Sequence, residues 1–137
     1  MPSTKIEVNH NKISRLREHD DFARLLFPGN KNHQKIFLAV YIELKYAEER
    51  FLPSLAFLGE KYEISPRMLE TVRSKMRRMG LIDHVSRFNR RWGYREGWVF
   101  SGRFQKACGR LGDFPSAFVE RRGAVQEKKD RDLFRYL

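Results

Sequence analysis

ISPRMLETVRSKMRRMGLI, residues 64–82, decides how the rest of the chain is read. Ser65 stands where a hydroxyl can accept a free N–H of a first helical turn. Pro66, with no N–H to lose, suits the position after it. Lys75, Arg77 and Arg78 favour the negative end of a helix, and Gly80 can take the left-handed conformation that closes one. Between these signals Leu69, Val72, Met76 and Met79 recur at i, i+3, i+7 and i+10. At about 100° per residue they form one apolar stripe. The opposite face carries Arg67, Glu70, Thr71, Ser74 and Arg78, which can donate to phosphate or meet a base edge. A helix over 65–79 follows. On an isolated helix such a face would simply be solvated, so the flanking sequence has to decide its use.

Upstream, residues 54–62 predict a short helix with Leu55, Leu58 and Tyr62 inward. Gly59 in its middle costs roughly 1 kcal/mol against Ala, which a close approach of the second helix would explain. Two helices separated by about three residues, the second one basic, form a helix-turn-helix pattern. Downstream, residues 81–88 predict a strand, 89–97 a turn-rich loop and 98–100 a returning strand. This hairpin carries Arg87, Arg90, Arg91 and Arg95, with Trp92 and Tyr94 among them.

Charge is concentrated in the same place. The 137 residues hold 28 basic and 17 acidic side chains, net +11. Residues 1–60 hold 9 basic and 8 acidic, residues 61–110 hold 13 and 4, and residues 111–137 hold 6 and 5. A solvated surface does not need that concentration; a polyanion-binding one does. An anionic membrane is a poorer target, because the apolar face of the 65–79 helix is committed to the core.

Outside this centre, residues 1–13 are polar and loose. A helix is expected over 14–27, closed by Pro28-Gly29, and another over about 31–49, capped by Asn30 or Asn32, with Ile36, Phe37, Val40, Leu44 and Ala47 inward. Phe51-Leu52-Pro53 turns the chain and includes a candidate short extended segment for pairing with the hairpin. After it, 103–111 predicts a helix with Phe104, Ala107, Cys108 and Leu111 on one face, interrupted by Gly109, Gly112 and Pro115. Helices over 116–122 and 126–137 follow, whose Phe114, Phe118, Val119, Leu133 and Phe134 require burial, in this chain's core or against a second chain. The single cysteine, Cys108, reads as a small buried hydrophobe; it permits no internal disulfide and fits a reducing, cytoplasmic interior. No apolar run reaches bilayer length and no signal-peptide core is visible.

The order and spacing of these pieces resemble the winged helix-turn-helix DNA-binding regulators in their MarR-like form, over roughly residues 31–111. Leu58-Gly59 is similar to the family's Leu-Ala in the first helix of the motif, Ser65 to its cap, and Leu69, Val72 and Met76 to its inward positions. Gly80-Leu81-Ile82 is similar to the Gly-Leu-Ile leading into the wing, and Ser101-Gly102-Arg103 to the opening of the helix after it. One departure is Glu63, where the family often has glycine; a left-handed Glu costs roughly 1–2 kcal/mol. The resemblance implies a mainly α fold with a small β-hairpin: an N-terminal arm and helix (1–30), a winged helix-turn-helix domain (31–111) and a C-terminal helical extension (112–137). It also implies homodimerisation through helices outside the motif.

The expected activity is sequence-specific binding of double-stranded DNA, as a transcriptional regulator. The recognition helix 65–79 would enter the major groove, with Ser65 at its cap and Arg67, Glu70, Thr71 and Ser74 toward base edges. Lys75 and Arg78 would lie nearer phosphates. The wing, 87–97, would place Arg87, Arg90, Arg91 and Arg95 on the backbone or in a minor groove. A replication or plasmid-maintenance factor would use the same module, and a protein-docking winged helix would not need the charge. No phosphate-cradling glycine loop, HExxH or Ser/His/Asp grouping points to an enzyme, and no histidine has metal-ligand spacing, so no cofactor or metal is expected.

Overall fold

The computed structural model describes residues 5–91 and 93–137, with Asn89 described by its backbone alone; Trp92 therefore lies outside the described residues. The described residues form seven α-helices and one two-stranded antiparallel sheet, so the fold is mainly helical. The chain divides into two units, Met1–Arg103 and Phe104–Leu137.

The first unit begins with two helices where the apolar pattern predicts one over 14–27. They are α1, His10–Ser14, and α2, His19–Leu26. The break arises because the Asp21 carboxylate accepts the N–H groups of Arg17 and Glu18 at 3.3 and 3.2 Å, giving α2 its own start. Those two bonds hold the Asp21 carboxyl below its ordinary pKa. Helix α3, Lys31–Tyr46, is capped by Asn30, whose side chain accepts the His33 N–H at 3.0 Å. Its Ile36, Phe37, Val40 and Leu44 are buried, as the stripe predicts. It stops short of residue 49 because Ala47 is extended and Glu49 and Arg50 take left-handed φ values of 59° and 50°. The buried Phe37 ring meets Phe22, Phe27 and Tyr41 at 5.7, 5.9 and 4.5 Å, and burial pushes the Tyr41 hydroxyl pKa up to about 12.

Helix α4 is a single turn, Leu58–Lys61, shorter than the span expected over 54–62. Helix α5 is Pro66–Met79, separated from α4 by a turn in which Glu63 takes the left-handed φ of 55°. Gly59 faces that turn: a Cβ there would stand 3.1 Å from the Ile64 carbonyl oxygen. The close approach that favours glycine is thus with the turn backbone, not with α5. The Glu43 carboxylate of α3 fixes this corner, accepting the Tyr62 hydroxyl at 2.7 Å and pairing with Lys61.

Strands β1, Ile82–Asn89, and β2, Gly93–Phe100, pair in register from Ile82↔Phe100 to Asn89↔Gly93. The returning strand is therefore eight residues long rather than the three expected. Leu52 adds a one-residue bridge outside β2, donating to the Trp98 carbonyl at 3.1 Å and accepting its N–H at 2.7 Å. Leu55, Leu58, Leu69, Val72, Met76, Leu81, Ile82 and Val99 are among the other buried core residues of this unit.

In the second unit α6, Arg103–Glu120, runs unbroken through the expected interruption at Gly109, Gly112 and Pro115. Pro115 deprives the helix of one backbone hydrogen bond, but Leu111, whose carbonyl it leaves, is solvent-exposed. Helix α7 is Ala124–Tyr136. No residue of either helix is buried, and Cys108 is exposed, against the expectation of a buried thiol. The side chain's place on the apolar stripe is legible in the sequence; its exposure is not.

Candidate nucleic-acid interface

Helix α5 is held at both ends by its own sequence. The Ser65 hydroxyl accepts the Met68 N–H at 3.2 Å, and Pro66 opens the helix. Gly80 closes it at φ 84°, its N–H and that of Leu81 donating to Arg77 and Met76 at 3.1 and 2.9 Å. Leu69, Val72 and Met76 are buried, so rotation about the helix axis is fixed. Arg67, Glu70 and Arg78 are consequently exposed, with Thr71 and Ser74 half-buried beside them. The Thr71 hydroxyl donates to the Arg67 carbonyl at 3.0 Å, so toward an incoming group it acts as an acceptor. The Ser65 hydroxyl keeps its proton for a donor role at the positive end of the helix.

Lys75 does not join this face. It is 7% exposed, donates to the carbonyl of Leu26, and lies 4.4 Å from the centre of the Phe27 ring. Burial lowers its pKa from the ordinary lysine value. The expectation that Lys75 meets phosphate is therefore corrected. The residue sits on the flank of α5 turned to α2, where it satisfies a carbonyl at that helix's end.

The other flank of α5 carries Arg73 and Arg77, which the pattern along the chain does not assign to the site. Their guanidinium carbons lie 5.1 and 6.0 Å from the Trp98 ring of β2. His84 of β1 packs on the same ring at 4.9 Å. In the sequence the pair is visible only as arginines four residues apart; the position of the hairpin gives them a common partner.

Arg103 is a second omission. Its guanidinium donates to the Arg77 carbonyl at the end of α5, at 3.0 Å, and pairs with Asp83 of β1, through Nε at 3.3 Å and through Nη2. It thereby ties the end of α5 to the start of the hairpin. These hydrogen bonds hold the Asp83 carboxyl below its ordinary value of 3.8. A carboxylate whose pKa is lowered by folding stabilises the fold above its unfolded pKa, and loses that contribution as pH falls through the folded one. Asp83→Asn is expected to lower stability at neutral pH by up to about 1 kcal/mol, since Arg103 is largely exposed. The gap to wild type should stay constant at pH values well above 3.8 and close below it. Urea midpoints of both proteins across that range check this; a gap independent of pH would remove the ion pair as its cause.

On the hairpin, Arg87 and Arg95 are directly opposite in register. Arg95 is half-buried, 5.0 Å from the Phe51 ring, and Arg87 is exposed. Their register thus brings two like charges onto one face of the hairpin. Arg90 and Arg91 follow at the turn, both exposed. Of the residues expected to bind DNA, α5 thus presents Ser65, Arg67, Glu70, Thr71, Ser74 and Arg78, and the hairpin presents Arg87, Arg90, Arg91 and Arg95.

No family model, curated protein or solved structure matches the chain. Among the described residues no helix is long and apolar enough to cross a membrane.

Proposed function

We propose that the chain is a sequence-specific double-stranded DNA-binding protein of the winged helix-turn-helix kind, acting as a transcriptional regulator. In this reading α5 is the recognition helix and the β1–β2 hairpin is the wing. The observation that supports it is a capped helix with an exposed polar face, beside a hairpin that carries Arg87, Arg90, Arg91 and Arg95. Base edges complement the first feature and phosphates the second. The test is titration of labelled duplexes at several salt concentrations. Affinity should fall linearly on a log–log plot, with a slope of about −0.9 for each phosphate contact. Salt-independent binding, or none, would overturn the reading.

The active form we propose is a homodimer joined through α6 and α7. Leu111, Phe114, Phe118, Val119, Leu133 and Phe134 are each more than half exposed. Phe114, Phe118 and Leu133 line one cleft between the two helices, of about 390 Å³. Side chains of this size leave roughly 600 Å² of apolar surface per copy, near the lower limit of a stable interface when two copies bury it together. Sedimentation should give a dimer at tens of micromolar, and Phe114→Glu with Phe118→Glu a monomer. A monomeric wild type would exclude this arrangement.

A further inference from the structure

The register of the hairpin puts Ile82 and Phe100, His84 and Trp98, Ser86 and Glu96, and Phe88 and Tyr94 on one face. At its base that face is core: Ile82 and Trp98 are buried, and Trp98 meets Arg73 and Arg77 of α5. Four residues further along β2, roughly 13 Å at strand spacing, the same face ends in two bare rings. Phe88 is 66% exposed and Tyr94 79%, with ring centres 5.3 Å apart and planes at 62°. They add nothing to the core. The rings meet edge to face, and most of the surface of each is exposed.

We propose that this tip is a nucleobase-stacking site: Phe88 and Tyr94 receive a base that has left the helical stack. The preferred DNA is then a duplex with an unpaired position beside the segment read by α5. The proposal rests on the DNA-binding reading and names the class of DNA it favours.

The chemistry selects this occupant. Arg87 and Arg95 lie on the opposite face of the same strands and Arg90 and Arg91 at the turn, so a polyanion is drawn to the tip. Rings for bases interleaved with cations for phosphates is the arrangement that binds unpaired strands. Glu96 stands one pair nearer the core on the ring-bearing face. Its carboxylate repels phosphate, so a strand lying there turns its bases, not its backbone, inward. A lipid surface would want further apolar area beside the rings, whereas the neighbouring α5 flank offers Arg73 and Arg77. A base in a closed duplex exposes only its edge; stacking on a ring requires that it be unpaired or that its step be opened.

The experiment compares three proteins, wild type, Phe88→Ala with Tyr94→Ala, and Tyr94→Phe, on two DNAs. One is a fully paired duplex. The other is the same duplex carrying a single unpaired 2-aminopurine. Wild type should bind the second roughly ten-fold or more tightly than the first, and the probe's fluorescence should be quenched as it stacks. The double alanine variant should lose the preference and the quenching while keeping its affinity for the paired duplex and its circular dichroism spectrum. Tyr94→Phe should retain both. Equal affinity of wild type for the two DNAs, or a preference that survives in the double variant, would overturn the stacking site and leave the DNA-binding reading intact. Failure of wild type to bind either DNA would overturn both. Loss of binding to anionic vesicles in the double variant, with no DNA preference in wild type, would assign the tip to lipid instead.

Discussion

Gly97→Ala is expected to lower the stability of the first unit by roughly 3 kcal/mol, the upper range for forcing atoms into a packed site. Glycine is not needed here for its backbone freedom. The position has no room: a Cβ at residue 97 would lie 2.5 Å from the Leu52 carbonyl oxygen and 2.6 Å from Cζ of Phe51. Neither neighbour can easily yield. Leu52 is fixed by its two hydrogen bonds to Trp98, and Phe51 is buried with Arg95 over its ring. Accommodation would have to open the bridge or move the Phe51 ring. For a unit of about this size the midpoint of thermal unfolding should drop by roughly 10–20 °C. Gly109→Ala is the control. That residue lies inside α6, where an added Cβ would meet no atom within 4 Å, so alanine should be neutral or stabilising by up to about 1 kcal/mol. Calorimetry of the two variants checks the contrast. A wild-type midpoint for Gly97→Ala would mean that the contact between the hairpin and Leu52 is looser than this geometry requires.

Arg67→Ala and Arg90→Ala are expected to weaken DNA binding in different ways. Arg67 is exposed in the first turn of α5, among Glu70, Thr71 and Ser74, which can accept or donate toward base edges. Its loss should cost roughly 1–3 kcal/mol on the preferred sequence and less on random duplex. Arg90 is exposed at the hairpin turn, where it supplies charge rather than a base code. Its loss should weaken all duplexes alike and make the salt slope shallower by about one phosphate. Lys75→Met should leave that slope unchanged, because the Lys75 ammonium faces the Leu26 carbonyl and the Phe27 ring. Titrations of the three variants against selected and random duplexes decide this. Equal losses for Arg67→Ala on both DNAs would take sequence reading away from α5; a shallower slope for Lys75→Met would return Lys75 to the interface.

What the sequence makes legible is whatever is written locally. Ser65, Pro66 and Gly80 mark the ends of α5, and Leu69, Val72 and Met76 set its rotation. The pairing of Leu52 with the hairpin is also legible, as an extended segment placed before it. Lys75 escapes such a reading because its position on a helical wheel lies between the two faces. What buries it comes from Leu26 and Phe27, 49 residues away in the first case. The length of β2 is hidden for another reason. Tyr94 and Glu96 project beyond the core, and the residue between them that covers a core ring is a charged one, Arg95, so the stretch carries no apolar alternation. Arg73, Arg77 and Arg103 become site neighbours only once the hairpin has a position. The stripe on α6 is readable as apolar, but no pattern along a chain says whether its cover belongs to the same molecule.

The single-residue width of the Leu52 bridge has a consequence for how copies of this protein tolerate one another at high concentration. Among the described residues, nothing but the Leu52 bridge pairs with the outer margins of the hairpin. Such margins are templates on which a second chain can add a strand and begin an aggregate. Here the strands carry Arg87 and Arg95 and their turn Arg90 and Arg91, and mutual repulsion keeps two such arms from docking edge to edge. The residues that would draw in a polyanion are thus also gatekeepers of colloidal stability. A chain stripped of all four would be tested for binding in a state more inclined to precipitate than to stay in solution.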